Sequence, residues 1–195
     1  MKYYAVKVGK VPGVYTTWDQ CKEQVNGFKG AKYKSFPTLE EANAFITGEV
    51  PQVKGLVAYV DGSYNQKTKV FGYGAVILDN GKIIHEISNG SNKEEFVEMR
   101  NVAGEIYGSL AAIKYAISKG YKSITIYYDY KGIEMWADGK WKTNKEGTKM
   151  YAALIQKYRR DIEIKFVKVA AHTGVEYNEA ADLLAKKGAG VVDED

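Results

Sequence analysis

Cysteine is nearly absent from this chain: Cys21 stands alone, which excludes an intramolecular disulfide and any cysteine-based zinc site. Histidine is almost as scarce, with only His85 and His172, so a metal would have to be held by oxygen. That donor chemistry suits hard cations such as Mg²⁺ or Mn²⁺. No run approaches the roughly 18 apolar residues of a membrane span, and MKYYAVKVGK has no apolar core of a signal peptide. The expectation is a soluble, cytoplasmic protein with no membrane partner. Internal repeats are missing, and low complexity is confined to the acidic tail Asp193-Glu194-Asp195. A one-sided charge is missing too: 28 basic and 24 acidic residues leave +4 and a pI near 8.8, which permits a polyanionic partner without demanding one.

What the chain does have is core material, 45% hydrophobic and 13% aromatic over 195 residues, enough for one ordinary domain and a small one. Residues 1–47 read as a ββαβα module: strands YYAVKVG and VYTTW, a helix from Trp18 to Val25, a strand AKYKSF, and a helix opened by Thr38 with Glu41 three residues on, as in a capping box. GEVPQVKG, residues 48–55, carries Pro and two Gly without periodicity and reads as a linker. From Leu56 the pattern is a meander followed by alternating elements: LVAYV, then FGYGAVIL and KIIHEIS joined at Asn80-Gly81, a strong hairpin signal. A helix over 102–119, the strand SITIYYD, helical segments around 131–138 and 147–160, the strand IEIKFVKV and a helix over 177–187 follow. The predicted fold class is α/β, a mixed sheet with helices packed on it.

Two of these strands run into an acid. LVAYV is apolar throughout, as in a strand buried on both faces, and meets Asp61; the β-branched and aromatic run ITIYY meets Asp129. On the helix 102–119, Ile106, Leu110, Ile113 and Ile117 mark the core face, and Glu105 shares the adjoining stripe with Ser109, Ala112 and Ala116. Small residues there let the helix lie close, so Glu105 is expected to point at the sheet. On the last helix, Ala180, Leu183 and Leu184 are expected to mark the buried side, with Asp182 beside them. Each acid alone has an ordinary role as a turn residue, a helix-start charge or a solvated side chain. Together they suggest a set that must be paired or metal-bound, because buried carboxylates are costly alone. Four carboxylates without a Cys or His cluster suit two divalent ions, the arrangement used for in-line phosphodiester chemistry.

At these residues the chain resembles the type 1 ribonuclease H family: Asp61 in YVDGSY, Glu105 in NVAGEIYGSLAAI, Asp129 in IYYDYKGI and Asp182 in AAHTGVEYNEAADLLAKKGA. His172 lies ten residues before Asp182 and Asn178 four before it, as in that family. The resemblance covers residues 56–190 and implies a ribonuclease H-like catalytic domain with a five-stranded mixed sheet. It also implies Asp61, Glu105, Asp129 and Asp182 as ligands of two Mg²⁺ ions, with Mn²⁺ as the alternative. His172 would assist proton transfer or product release, and Ser63, Arg100, Asn101 and Asn178 would contact nucleic acid. The implied activity is cleavage of the RNA strand of RNA/DNA hybrids, leaving 5′-phosphate and 3′-hydroxyl ends, by a monomer. The alternatives are a nuclease of the same fold acting on double-stranded RNA and a non-catalytic hybrid-binding protein.

Residues 1–47 resemble the hybrid-binding domain that precedes many such nucleases, with 191–195 left as an acidic tail. Their flat rings and alternating lysines suit sugars, bases and phosphates, and Tyr4, Trp18, Lys32, Tyr33 and Lys34 are the expected contacts. Departures from the family pattern are equally legible. Arg100 stands where many relatives have Thr or Ser, YNQKTKVFG lacks the usual Asn-Pro-Gly, Ser35 replaces a Lys of some hybrid-binding domains, and ADGKWKTNKEG leaves little of a basic protrusion.

Overall fold

The structure is a computed structural model that describes residues 2–48, 55–169 and 176–191. It divides into two compact units after residue 52. The smaller has the expected ββαβα order: β1 (Tyr3–Val8), β2 (Gly13–Tyr15), α1 (Trp18–Val25), β3 (Lys32–Phe36) and α2 (Leu39–Thr47). β1 is central and antiparallel to both neighbours. Thr17 and Thr38 cap the two helices, accepting from the amides of Gln20 and Glu41, and Gly48 closes α2 in the left-handed region.

The larger unit contains β4 (Leu56–Asn65), β5 (Val70–Asp79), β6 (Lys82–Ser91), α3 (Glu94–Val97), α4 (Asn101–Ser118), β7 (Ser123–Tyr128), α5 (Gly132–Ala137), α6 (Glu146–Tyr158), β8 (Glu163–Lys168) and α7 (Glu176–Ala189). The sheet runs β6-β5-β4-β7-β8, antiparallel across the meander and parallel from β4 to β8, which makes it mixed and five-stranded as expected. Asn80 and Gly81 both have positive φ, as the two-residue hairpin requires. The short α3 is an addition that the sequence pattern did not announce. Among the described residues, no helix is long and apolar enough to cross a membrane.

The sheet is covered on both faces. Ala58, Val60, Phe71, Ala75 and Ile77 pack with α4 residues such as Ile106 and Ile113 in the main core, which α6 extends through Tyr151 and Ile155. On the other face Val57, Tyr59, Val76 and Leu78 pack with Ala181 and Leu184 of α7.

Two expectations are corrected here. β4 does not end at Asp61: it continues to Asn65, because β5 keeps pairing with it to Asn65↔Val70, while its parallel partner β7 pairs only with Val57–Tyr59. The buried side of α7 is not marked by Leu183, which is 59% exposed, but by Ala181, Ala185 and Ala189. The cause lies in the strands. A Cβ on Gly72 would stand 2.1 Å from the Ala185 carbonyl, and one on Gly74 would stand 2.2 Å from that of Ala181. Backbone meets backbone along this glycine track, and nothing larger than alanine fits on the contacting stripe.

Candidate active site

Sheet register brings the first two acids together. Tyr59 of β4 pairs with Tyr127 of β7, and Asp61 and Asp129 each lie two residues further along these parallel chains. Asp61 sits mid-strand opposite Gly74, half-buried, with its Oδ1 accepting from the Gly62 amide at 2.7 Å. Asp129, also half-buried, is where β7 gives way to a turn.

Glu105 is delivered by the close seating of α4. A Cβ on Gly62 would lie 2.0 Å from the Asn101 carbonyl and 2.5 Å from the Glu105 amide, and one on Gly104 would lie 2.7 Å from the Gly62 Cα. Only glycines permit that approach, and they set Glu105 against the sheet at 3% exposure. Ser109, Ala112 and Ala116 are buried with it, as their shared stripe predicts. One oxygen, Oε1, accepts from the amides of Asp129 at 2.8 Å and Tyr130 at 3.2 Å, so the glutamate fixes the turn that carries the neighbouring acid. Burial, chiefly, and then the charge of Asp129 push the Glu105 carboxyl well above the ordinary carboxylate range; the two amide bonds oppose the shift, and Asp61 adds to it. Tyr128, buried just before Asp129, donates its hydroxyl to Glu134 and so ties the end of β7 to α5.

Asp182 is placed differently. Ala181, the residue before it, rests on Gly74, the partner of Asp61, so α7 is seated beside the other acids. Its carboxylate, however, is paired with Lys186 one turn further on, Nζ to Oδ2 2.9 Å. Among the described residues no three His, Cys, Asp or Glu side chains form a group able to hold a metal ion as they stand. Glu105 holds the two amides through Oε1, and Asp182 holds Lys186.

The expected nucleic-acid contacts fall on both units. Ser63 lies on β4 two residues beyond Asp61 and opposite Gly72. Asn101 opens α4, and exposed Arg100 before it adopts φ 51°, ψ −123°, a conformation that side chains other than glycine rarely accept. Asn178 lies near the start of α7, and His172 lies outside the described residues. In the small unit Tyr4, Trp18 and Tyr33 form a run of rings, with centroids 6.0 and 5.9 Å apart. Trp18 and Tyr33 remain 43% and 46% exposed, too open for core residues. Lys32 and Lys34 alternate with Tyr33, so the pleat of β3 sends them to its other face, where Lys34 lies over the Phe36 ring.

Sequence reasoning missed three features. Tyr59 stacks on Tyr127 at 4.6 Å and meets Tyr177 at 5.3 Å, joining β4 and β7 to the first turn of α7. Tyr130, Trp136 and Trp141 form a second ring cluster, beside a groove of about 340 Å³ lined in part by Met99, Val102, Tyr130, Trp136, Lys142 and Lys145. Only the tryptophans among lysines in MWADGKWKTNK hinted at it. The Asp182–Lys186 pair was legible as an acid four residues before a base, but its placement at the site was not.

Comparison with known proteins bears on the family and the fold. A family described as Ribonuclease H1 N-terminal domain matches residues 2–46, and one described as RNase H matches residues 53–190. A ribonuclease H of Crithidia fasciculata is 57% identical over 54 residues, covering 28% of this chain but only 11% of that protein. Human ribonuclease H1 is 24% identical over 258 aligned residues, covering 96% of this chain and 89% of its own. Among solved structures, LC11-RNase H1 in complex with an RNA/DNA hybrid superposes with TM-score 0.58 at 20% identity, over 69% of this chain and 96% of that one, which supports the fold. A family match spanning residues 53–190, on a sheet whose register and glycine contacts gather Asp61, Glu105 and Asp129, places this chain in the ribonuclease H family.

Proposed function

We propose that this chain is an endoribonuclease that hydrolyses the RNA strand of RNA/DNA hybrids and leaves 5′-phosphate and 3′-hydroxyl ends. The observation that carries the reading is Glu105, a buried acid whose oxygen fixes the backbone of Asp129 while Asp61 lies in register beside it. Like charges gathered this way raise the cost of ionising one another, which a bound cation would offset.

The donor set fits hard divalent cations: it is all oxygen, and its charges repel one another. Asp61, Glu105, Asp129 and Asp182 would hold two Mg²⁺ or Mn²⁺ ions, which supply an activated water and neutralise charge on the scissile phosphate. Glu105 would keep the Asp129 turn in place through the Asp129 and Tyr130 amides, and the Gly62 amide would orient Asp61. Closing on cations requires Asp182 to turn from Lys186. His172 would assist proton transfer or product release.

Ser63, Arg100, Asn101 and Asn178 would grip the hybrid, and Tyr4, Trp18, Lys32, Tyr33 and Lys34 would give the small unit its own hold on sugars, bases and phosphates. RNA is chosen through its 2′-hydroxyl, and phosphate contacts imply low sequence specificity. A cytoplasmic monomer belongs to the same proposal. LC11-RNase H1, which shares the fold, has been solved with an RNA/DNA hybrid, and this supports that substrate class.

The rival reading is a non-catalytic hybrid-binding protein that keeps the acids without metal-dependent cleavage. The test is a hybrid labelled on either strand, incubated with Mg²⁺ or EDTA beside matched duplex RNA and duplex DNA. Mg²⁺-dependent loss of the RNA strand in the hybrid alone is expected, abolished by Asp129→Asn with binding retained. Binding without cleavage under either metal would select the non-catalytic reading, and equal cleavage of duplex RNA would select the other nuclease.

A further inference from the structure

Asp61, Glu105 and Asp129 are gathered with like charges against one another, whereas Asp182 carries a cation of its own. Lys186 Nζ stands 2.9 Å from Asp182 Oδ2, with both side chains about one third exposed. The order, acid four residues before base, is the favourable one on a helix. The pair also sits on a closely seated stretch of α7: Ala181 and Ala185, the residues before each partner, rest on Gly74 and Gly72 through their backbones. Both partners ride on one helix, so side-chain rotation is what separates the charges. An ammonium on a four-carbon stem is well suited to that, being a flexible, strongly hydrated point charge.

Resting on the metal reading above, we infer that Lys186 is a tethered competitor of the divalent ion for the Asp182 carboxylate. The ammonium neutralises Asp182 while the site is empty, and a divalent ion must displace it before the fourth acid can serve. Lys186 thereby sets the metal concentration at which the acid set is complete. Uptake of the ion forms oxygen–cation contacts at Asp182, breaks the ion pair and transfers no proton.

The test is calorimetric titration of the 195-residue chain with Mn²⁺ in the absence of nucleic acid, so that turnover plays no part. Lys186→Gln and Lys186→Met should bind Mn²⁺ about two- to fivefold more tightly than the wild type, since partly exposed pairs are modest competitors. Lys186→Arg, which keeps the cation, should stay within about twofold of the wild type on the same grounds. Unchanged or weaker binding by both neutral variants, against measurable wild-type uptake, overturns the proposal and leaves the metal reading standing. If the wild type takes up no more Mn²⁺ than Asp129→Asn, the metal reading fails and this proposal with it.

Discussion

Gly74→Ala separates the packing argument from the chemical one. The added Cβ would lie 2.2 Å from the Ala181 carbonyl oxygen, 2.6 Å from the Ala185 amide and 2.8 Å from the Leu184 Cβ. Two of these three neighbours are backbone, so no side-chain rotation relieves the clash. Restoring ordinary contact requires α7 to retreat by about 1 Å, an overpacking that costs about 1–3 kcal/mol. For a unit of this size that lowers Tm by about 3–10 °C. The same retreat draws Asp182 away from Asp61, the residue paired with Gly74, and a misplacement of about 1 Å can cost about 100-fold in rate. Thermal melts followed by circular dichroism and cleavage of a labelled hybrid measure the two effects on one sample. Gly13→Ala makes the same chemical change where the nearest atom is 3.7 Å away, and it should alter neither. A Gly74→Ala protein with wild-type Tm and wild-type turnover would show that α7 is not held by this contact.

Glu105 has a raised folded pKa, so in the metal-free protein its contribution to stability falls as pH rises from the unfolded carboxylate value through the folded one. Glu105→Gln keeps an acceptor for the Asp129 and Tyr130 amides without the charge. The melting-temperature difference between variant and wild type in EDTA should therefore grow in the variant's favour from pH 4.5 towards pH 8, and parallel curves would contradict the burial argument. Arg100→Gly should release about 1–3 kcal/mol of backbone strain against about 0.5–1 kcal/mol of glycine entropy, a net gain read by urea denaturation. The same variant should bind hybrid more weakly if the Arg100 side chain contacts phosphate; unchanged binding would assign that residue no part in the grip. Trp18→Ala should weaken hybrid binding by about 1–3 kcal/mol per stacked base lost, measured by fluorescence anisotropy, while an affinity equal to the wild type would return Trp18 to a packing role.

Much of the larger unit was legible because its signals are local. Asn80-Gly81 specified a hairpin, and Glu105, Ser109, Ala112 and Ala116 shared a helical stripe that the fold buries. The misreadings arose where a distant partner decided the outcome. Asp61 looked like a strand end because the apolar run stops there, yet β5 continues to pair with β4 well past it. Leu183 looked like a core residue by composition, but glycines on β5, a hundred residues earlier, admit only the alanine stripe of α7. The acid set was expected as two strand-end and two inward helical carboxylates, whereas the partners that Glu105 and Asp182 now hold, two amides and an ammonium, are products of tertiary placement.

The glycine track also orders events in time. About 85 residues separate the end of β6 from the start of α7, an interval of roughly 4–17 s at typical rates of synthesis. Throughout it Gly72 and Gly74 of a nascent chain lack α7, the helix whose backbone rests on them in the folded protein. Asp61, Glu105 and Asp129 are all translated before the segment that carries Asp182, so the polypeptide on the ribosome holds three of the four acids and only later receives the last.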